Sequence, residues 1–295
     1  MRHHHSGSLA VAVLSTLVLV APPAQAAPSV GKELRRLEAS FHGRIGAYAL
    51  DTGTGRSVGY RAGSRFPFAS SFKVFAAAAV LHKASTSDPG LMERVIRWTA
   101  KDVKPNSPVT GKHLKDGLTV ARLCEAAITV SDNTAANLLL KQIGGPAGMT
   151  RYFRSLKDQV SRLDRWETDM SVWKPGERRD TTTATAAATS LRTLTLGNAL
   201  SVKDRDRLVG WLRANQTGGN RIRAGLPKSW VIGDKTGTTS GYGGASDIAV
   251  IWPDKGASPI VMAVYTTRNS ASAPMSEPTI ARTATILARG LGRLP

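Results

Sequence analysis

The residue pair with the clearest chemical potential in this sequence is a serine followed three positions later by a lysine. Ser70 and Lys73 stand at i and i+3 of a predicted helix, so they share one face of it. A serine hydroxyl is a weak nucleophile until a neighbouring base takes its proton, and this lysine is close enough to be that base. The start of a helix also favours developing negative charge, because its backbone N–H groups are unpaired. The pair therefore indicates covalent catalysis by an activated serine.

Spacing alone is weak evidence, since Ser29 with Lys32 and Ser171 with Lys174 satisfy the same pattern. Two further tripeptides strengthen the case for Ser70. The sequence Ser-Asp-Asn at 131–133 follows an apolar helical stretch, and Lys-Thr-Gly at 235–237 ends a predicted strand. Alone, the first is typical of a helix N-cap and the second of a strand entering a turn. Their occurrence together, in this order and on these elements, favours the catalytic interpretation.

Other kinds of chemistry have less support. The mature chain keeps His42, His82 and His113, and none has ligand-like spacing to another histidine or carboxylate. A Ser-His-Asp triad stays open on sequence order, although a lone histidine is more typical of a surface or a satisfied core position. Cys124 is the only cysteine, which excludes an internal disulfide and metal centres built from several thiolates. The sequence predicts no metal site and no cofactor.

The N-terminal residues predict an export signal. The apolar run 9–20 is too short to span a bilayer, and a Pro-Pro pair ends it. Ala24-Gln25-Ala26 then supplies the small-x-small pattern of a signal peptidase site. We expect residues 1–26 to be a signal peptide cleaved near Ala26–Ala27. The product would be secreted, extracellular or associated with the envelope, with no membrane segment after signal removal.

Strand-like segments at both ends of the mature chain enclose a helical middle. Strands are predicted over 44–50, 57–60, 230–235, 246–252 and 259–267, and helices over 70–83, 119–129, 134–143 and 278–291, the helical pattern running from 70 to about 204. This order indicates a discontinuous α/β domain, 27–65 and 214–295, with an all-α domain, 66–213, inserted in it.

The chain is strongly basic, with 40 Lys and Arg against 21 Asp and Glu and a formal net charge of +19. Basic residues cluster at 151–162 and 205–213, in the groups Arg151, Arg154, Lys157, Arg162 and Arg205, Arg207, Arg213. No aromatic residues interleave with these clusters as stacking platforms, so we expect no nucleic-acid partner. Solvated surface charge is the favoured interpretation, and a weak attraction to anionic polymers of the cell envelope stays open.

The three motifs together resemble those of the class A serine β-lactamases, a family within the penicillin-recognising serine enzymes. Residues 165–167 and 175–183 resemble the family's Ω loop, placed here at about 164–180, and 217–227 with 233–238 resemble the segment entering its catalytic strand. The resemblance covers essentially the whole mature chain. It implies an α/β (α+β) fold: a five-stranded antiparallel sheet flanked by helices, with the active site where the all-α domain meets it.

The resemblance implies that penicillins and cephalosporins are hydrolysed through an acyl-enzyme on Ser70, which confers β-lactam resistance. Backbone N–H groups of Ser70 and Thr238 would form the oxyanion hole. Lys73 and Glu167 would share the proton transfers, and which of them takes the Ser70 proton stays open. The accepted role of the glutamate is to activate the water that hydrolyses the acyl-enzyme. Ser131 would pass a proton to the lactam nitrogen.

The same resemblance assigns residues that bind the substrate. Asn133 would hydrogen-bond the substrate's amide side chain, while Lys235, Thr236 and Arg221 would hold its carboxylate. Lys235 also supplies positive charge near Ser131. The remaining binding residues predicted are Gly237, Thr238 and Ser171. Of these, Ser171 stands where the family usually has an asparagine that helps hold the deacylating water.

Several positions depart from the family's common pattern. Thr168 stands where proline is frequent, and Asn106 replaces an aromatic residue at the rim of the cleft. Ala69 and Thr239 are not cysteines, so the disulfide typical of several carbapenem-hydrolysing members is absent. The alternative function is a D-alanyl-D-alanine carboxypeptidase, a slow penicillin-binding protein or a β-lactam sensor. Glu167 favours hydrolysis over these, and we expect a monomer acting on a small-molecule substrate.

Overall fold

A computed structural model of the 295-residue chain describes Met1, residues 29–254 and residues 256–295. Apart from Met1, the predicted signal peptide lies outside these residues. Within them, no helix has the length and apolar character that crossing a membrane requires.

The described residues form eight α-helices and nine β-strands. Five of the strands form one sheet, and the other four form two short two-stranded sheets. The helices are α1 (Val30–Phe41), α2 (Lys73–Thr86), α3 (Val120–Thr129), α4 (Asn133–Gln142), α5 (Gly145–Ser155), α6 (Ala184–Thr195), α7 (Val202–Arg213) and α8 (Glu277–Gly290). The strands are β1 (Gly43–Asp51), β2 (Ser57–Tyr60), β3 (Arg65–Pro67), β4 (Val95–Ile96), β5 (Leu118–Thr119), β6 (Thr181–Thr183), β7 (Val231–Thr238), β8 (Ala245–Trp252) and β9 (Ile260–Arg268).

The main sheet is antiparallel throughout and has the strand order β2-β1-β9-β8-β7. Strand β1 pairs with β9, with Ala47 opposite Val264, so the two ends of the sequence meet in the middle of the sheet. Strand β7 lies at one edge and pairs with β8 alone. This five-stranded α+β fold confirms the predicted fold class.

Alternating side chains of β9 divide the interior into two cores. Val261 and Ala263 point toward the helices of the chain's middle, while Met262 and Val264 point toward α1 and α8. Because both faces of this central strand are covered, eight of its nine residues are buried, and the first six are apolar. Cys124 lies in the larger, helical core, with its free thiol buried.

The predicted elements appear in the fold with three main differences. Helix α1 was not predicted, although its apolar residues Leu34, Leu37 and Phe41 follow helical spacing. The helix predicted from residue 70 begins as one 3₁₀ turn, Ala69–Phe72, and continues as an α-helix from Lys73. The helical stretch runs to Arg213 rather than to about 204.

Candidate active site

Ser70 is held in a tight turn at the entrance to α2. The residue before it, Ala69, has a φ of 42°, in the left-handed region that residues other than glycine seldom adopt. The turn presents the Ser70 hydroxyl to the Ω loop, where it donates to Glu167 Oε1 at 3.2 Å. A carboxylate within hydrogen-bond distance is positioned to accept the proton of this hydroxyl.

Lys73 lies one turn further along, fully buried beneath the cleft. Its Nζ is 3.3 Å from Glu167 Oε1 and donates to Asn133 Oδ1 at 2.5 Å and to the backbone oxygen of Ser131 at 2.8 Å. Burial lowers the pKa of the Lys73 ammonium, and the negative charge of Glu167 acts in the opposite direction. The depressed pKa makes the neutral amine more accessible than in a solvated lysine.

Lys235 is the second ammonium of the site and is also fully buried. Its Nζ donates to Ser131 Oγ at 3.1 Å and to the backbone oxygen of Thr236 at 2.9 Å. Burial and, next in size, the positive charge of Lys73 lower the pKa of Lys235 to about 7. The Ser131 hydroxyl, which is 3.3 Å from Lys73 Nζ, therefore bridges two lysines whose charges disfavour each other.

The Ser131 loop is fixed by its neighbour Asp132, which is completely buried. Its carboxylate caps α4 by accepting from the N–H of Ala135 at 2.9 Å, as the helix-cap interpretation of this tripeptide predicts. It also accepts from the backbone N–H groups of Val109 and Thr110. The tripeptide is thus both a helix cap and part of the site.

Asn106 lines the cleft directly beside the same loop. Its backbone oxygen accepts from the N–H of Asn133 at 3.1 Å, and its side chain donates to the backbone oxygen of Ser131 at 3.3 Å. Asn106 has a φ of 55°, a conformation that asparagine tolerates better than an aromatic residue. Asparagine in place of the family's aromatic residue is therefore compatible with the left-handed backbone at position 106.

The Ω loop is closed by Asp180. This buried carboxylate accepts from Arg165 Nε at 2.6 Å and from the backbone N–H groups of Asp164 and Arg165 at 2.7 and 2.9 Å. Burial raises the pKa of Asp180, although these donors act against the increase. Arg165 and Asp180 therefore form an ion pair that joins the two ends of the loop.

Glu167 itself is held by Asn137, a residue that sequence reasoning missed. The Asn137 side chain donates to the backbone oxygen of Glu167 at 2.8 Å and accepts from its N–H at 2.9 Å. The Glu167–Thr168 peptide bond is cis. The sequence signal was that Asn137 lies one helical turn after Asn133, on the same face of α4.

The opposite wall of the cleft is the end of β7. Gly237 is required there, because a Cβ would lie 2.6 Å from Ser246 Oγ and 2.8 Å from the backbone oxygen of Phe68. The Thr236 hydroxyl is hydrogen-bonded to that of Thr217 at 2.5 Å, a second residue of the cleft that was not singled out from the sequence.

Arg221 is almost fully buried behind this wall. Its guanidinium donates to the backbone oxygens of Gly237 and Ser246, to Thr238 Oγ1 at 2.8 Å and to Glu277 Oε1 at 3.1 Å. It still lines the cleft, but most of its donors are used within the protein. The arginine therefore orients the Thr238 hydroxyl.

These groups surround one cleft with a volume of about 420 Å³. Among the predicted residues, those lining it are Ser70, Ser131, Asn133, Glu167, Ser171, Arg221, Thr236, Gly237 and Thr238, while Lys73 and Lys235 lie beneath it. Ser171 donates to Glu167 Oε2 at 3.2 Å. Within the part of the chain that the structure describes, no cluster of three or more His, Cys, Asp or Glu side chains could hold a metal ion.

Residues 29–291 match the sequence profile of the Beta-lactamase enzyme family. A carbapenem-hydrolyzing β-lactamase KPC of Klebsiella oxytoca is 49% identical over 89% of this chain and 89% of its own length. An imipenem-hydrolyzing β-lactamase of Enterobacter cloacae is 44% identical over 94% and 95%. The crystal structure of a β-lactamase from Streptosporangium roseum, 64% identical, has a TM-score of 0.89 and covers 90% of this chain and 99% of that one.

The chain belongs to the β-lactamase family, and its fold is that of the class A enzymes. Its activity is accordingly the hydrolysis of β-lactam antibiotics, by the serine route that defines this class, and the associated phenotype is antibiotic resistance.

Proposed function

We propose that this β-lactamase acylates Ser70 and hydrolyses the acyl-enzyme with a water activated by Glu167. The observation that carries the proposal is the position of one buried carboxylate. Glu167 Oε1 lies 3.2 Å from the Ser70 hydroxyl and 3.3 Å from Lys73 Nζ. A general base must lie within hydrogen-bond reach of the proton it abstracts. Glu167 meets this condition directly, and Lys73 is linked to Ser70 through the same carboxylate oxygen.

In the acylation step, Ser70 Oγ attacks the lactam carbonyl while its proton passes to Glu167 or to neutral Lys73. The carbonyl oxygen gains negative charge, which the N–H groups of Ser70 and Thr238 would stabilise; one such donor is worth about 3–4 kcal/mol. The C–N bond then breaks, and the Ser131 hydroxyl gives its proton to the nitrogen. Ser131 recovers a proton from Lys73 or Lys235, which lie 3.3 and 3.1 Å from its oxygen.

In the deacylation step, a water held near Glu167 loses a proton to this carboxylate and attacks the ester carbonyl. The bond to Ser70 Oγ breaks and the serine regains a proton. Ser171 supports the step by donating to Glu167 Oε2, which leaves Oε1 to face the reacting atoms. This hydroxyl stands where the family usually has asparagine, so it orients the carboxylate with a shorter side chain.

The substrate would lie between the Ser131 loop and β7. We assign its carboxylate to Lys235 and to the hydroxyls of Thr236 and Thr238, with Arg221 orienting the last of these through a 2.8 Å hydrogen bond. Asn133 would bind the amide side chain of the substrate, although its Oδ1 also accepts from Lys73.

Relatives named for hydrolysis of carbapenems and of imipenem support a substrate range that includes carbapenems. Purified protein should hydrolyse imipenem as well as benzylpenicillin, monitored by absorbance. An imipenem acyl-enzyme that accumulates without turnover would restrict the range to penicillins and cephalosporins.

The domain boundaries and the localisation proposed for this protein are those predicted from the sequence. Residues 27–65 and 214–295 form the α/β domain, 66–213 form the all-α domain, and the cleft lies between them. The protein acts as a secreted monomer after cleavage of residues 1–26. Mass spectrometry of the exported product tests the cleavage site. Size-exclusion chromatography with light scattering tests the monomeric state.

The mechanism is tested by intact-mass measurements during benzylpenicillin hydrolysis. Ser70→Ala should abolish both turnover and the adduct, whereas Glu167→Ala should accumulate one adduct per chain. Lys174→Ala is the matched control, because this exposed lysine follows Ser171 at the same spacing as Lys73 follows Ser70. A wild-type protein that takes up one adduct and stalls would instead indicate a penicillin-binding enzyme or sensor.

A further inference from the structure

A second cleft, with a volume of about 1040 Å³, lies away from the active site, where the end of α5 faces α6. Its apolar lining comes from Leu156, Val160, Ala186 and Ala199, all half-buried. Leu156 and Ala199 also pack against the larger core, so this wall continues the interior of the protein. A cleft of this size with aliphatic walls can cover an apolar ligand segment.

Positive charge is concentrated at the same cleft. Arg65 and Lys157 line it. Arg65 Nη1 donates to the backbone oxygen of Val160 at 2.9 Å and to Thr181 Oγ1 at 3.0 Å. Among the residues that the structure describes, neither cation forms an ion pair with a carboxylate. The guanidinium is therefore fixed in place by neutral oxygen atoms, with no carboxylate in direct contact with it.

Neighbouring arginines add to this positive charge. Burial and then the charges of Arg178, Arg162 and Arg154 lower the pKa of the Arg65 guanidinium. Arg162 is paired with Asp164, whereas Arg154 and Arg178 form no ion pair among the described residues. Arg154, like Arg65, is anchored by backbone oxygens, since its Nη1 donates to those of Asp158 and Ser161. Such a cluster favours an anion, because each guanidinium raises the electrostatic energy of the others.

The acidic residue that lines this cleft, Asp158, is committed to the fold. One of its oxygens accepts from the N–H groups of Val160 and Ser161 at 2.8 and 2.9 Å, and the other accepts from Ser190 Oγ at 3.2 Å. The carboxylate is buried. It therefore neutralises only part of the charge of the surrounding cations.

We propose that this cleft binds an amphiphilic anion, an alkyl chain carrying a phosphate group. The phosphate would lie at Arg65 and Lys157, since a guanidinium can pair with two phosphate oxygens at once. The alkyl chain would lie along Leu156, Val160 and Ala186. The site is separate from the β-lactamase cleft, so its test does not depend on the proposed mechanism.

The probe is dodecyl phosphate below its critical micelle concentration, titrated calorimetrically into the purified protein. We expect saturable binding of one molecule per chain. Octyl phosphate should bind on the order of 100-fold more weakly, because it loses four buried methylene groups. Inorganic phosphate and neutral dodecyl maltoside, which each keep one half of the probe, should not bind measurably.

Two variants separate the charge from the apolar wall. Lys157→Glu should weaken binding of dodecyl phosphate about tenfold or more, because a cation at the head group is replaced by an anion. Ala186→Trp should block the alkyl chain without changing charge. Arg35→Glu, an exposed residue of α1, is the charge-matched control and should bind as the wild type does. All three should retain β-lactam hydrolysis, which verifies folding.

Several outcomes would overturn the proposal. These are the absence of saturable binding, equal affinity for dodecyl maltoside, or equal weakening by Arg35→Glu and Lys157→Glu. Sedimentation with phosphatidylglycerol vesicles distinguishes the sources of the ligand. Co-sedimentation that Lys157→Glu removes supports a lipid in a bilayer, whereas binding of the monomeric probe without co-sedimentation supports a free amphiphile.

Discussion

The two walls of the catalytic cleft are built in opposite ways. Strand β7 is paired with β8 along its whole length, from Val231 opposite Trp252 to Thr238 opposite Ala245, so its shape is set by backbone hydrogen bonds. The Ω loop, 164–180, has only one short 3₁₀ turn, Asp169–Ser171, among its described residues. Its shape depends on a few buried side chains. Single substitutions should therefore displace the loop wall but alter the strand wall only locally.

The largest effect is expected from Asp180→Ala. It removes a buried carboxylate that accepts two backbone N–H groups and Arg165 Nε. Removing one partner of a buried ion pair costs about 3–5 kcal/mol. Urea unfolding should show this loss, and deacylation should slow by about 100-fold or more as Glu167 moves.

Asp169→Ala is the control for this substitution, because it removes an exposed carboxylate from the same loop. Its stability and deacylation rate should stay close to those of the wild type. Equal effects of the two substitutions would show that loop charge, rather than the buried contact, determines the shape of this wall.

Asn137→Ala should have the next largest effect. It removes both hydrogen bonds to the Glu167 backbone, and a misplacement of about 1 Å can cost about 100-fold in rate. Stopped-flow measurements should show deacylation slowed by about 10- to 100-fold, with acylation changed much less. Gln142→Ala removes an amide from the same helix and should leave both rates unchanged. Equal slowing of both steps would contradict a role confined to Glu167.

On the strand wall, Lys235 should produce a pH dependence instead of a displacement. Its pKa is lowered to about 7, and the protonated form is the one that attracts a substrate carboxylate. Above pH 7 the protonated fraction approaches a tenfold decrease per pH unit, so kcat/KM for benzylpenicillin should fall. Lys235→Arg, which stays charged, should remove this alkaline decrease. A decrease that persists in this variant would belong to another group.

The smallest effects should come from Ser171 and Ser240, which form the contact between the Ω loop and the strand wall. Ser171→Ala removes one hydrogen bond to Glu167 Oε2 and should slow deacylation by roughly 2- to 10-fold. Ser240→Ala removes a weaker contact, from its hydroxyl to the Ser171 backbone oxygen at 3.3 Å, while its backbone N–H still donates there. It should change the rate less than twofold. A larger effect of Ser240→Ala would show that the strand side orients the loop.

Local patterns predicted much of the fold. Strands β8 and β9 contain the apolar runs 248–252 and 260–265. The ends of α3 and α4 were predicted within a residue, because a threonine cap and a Gly-Gly pair mark them. Helix α1 was missed because its apolar residues are separated by several charged ones, and only packing against α8 makes its amphipathic pattern decisive.

The catalytic residues were predicted from the sequence, but the residues that hold them in position were not. The arrangement of Ser70, Lys73 and Lys235 was expected from three short motifs and a family resemblance, since no local pattern relates residues so far apart. Asn137 was not identified, because its function lies in contacts with the backbone of Glu167, 30 residues away. Side chains that hold a distant backbone have no characteristic local spacing.

The pairing of β1 with β9 has a consequence for the order of folding. Thr52, just after β1, bonds to Pro259 across 207 residues, and Glu33 of α1 meets Arg289 of α8. During synthesis, the edge of β1 that pairs with β9 therefore stays unpaired until β9 has left the ribosome. Long-range contacts of this kind slow folding, because a large loop must close before they form. The main sheet can thus be completed only after β9 has been synthesised.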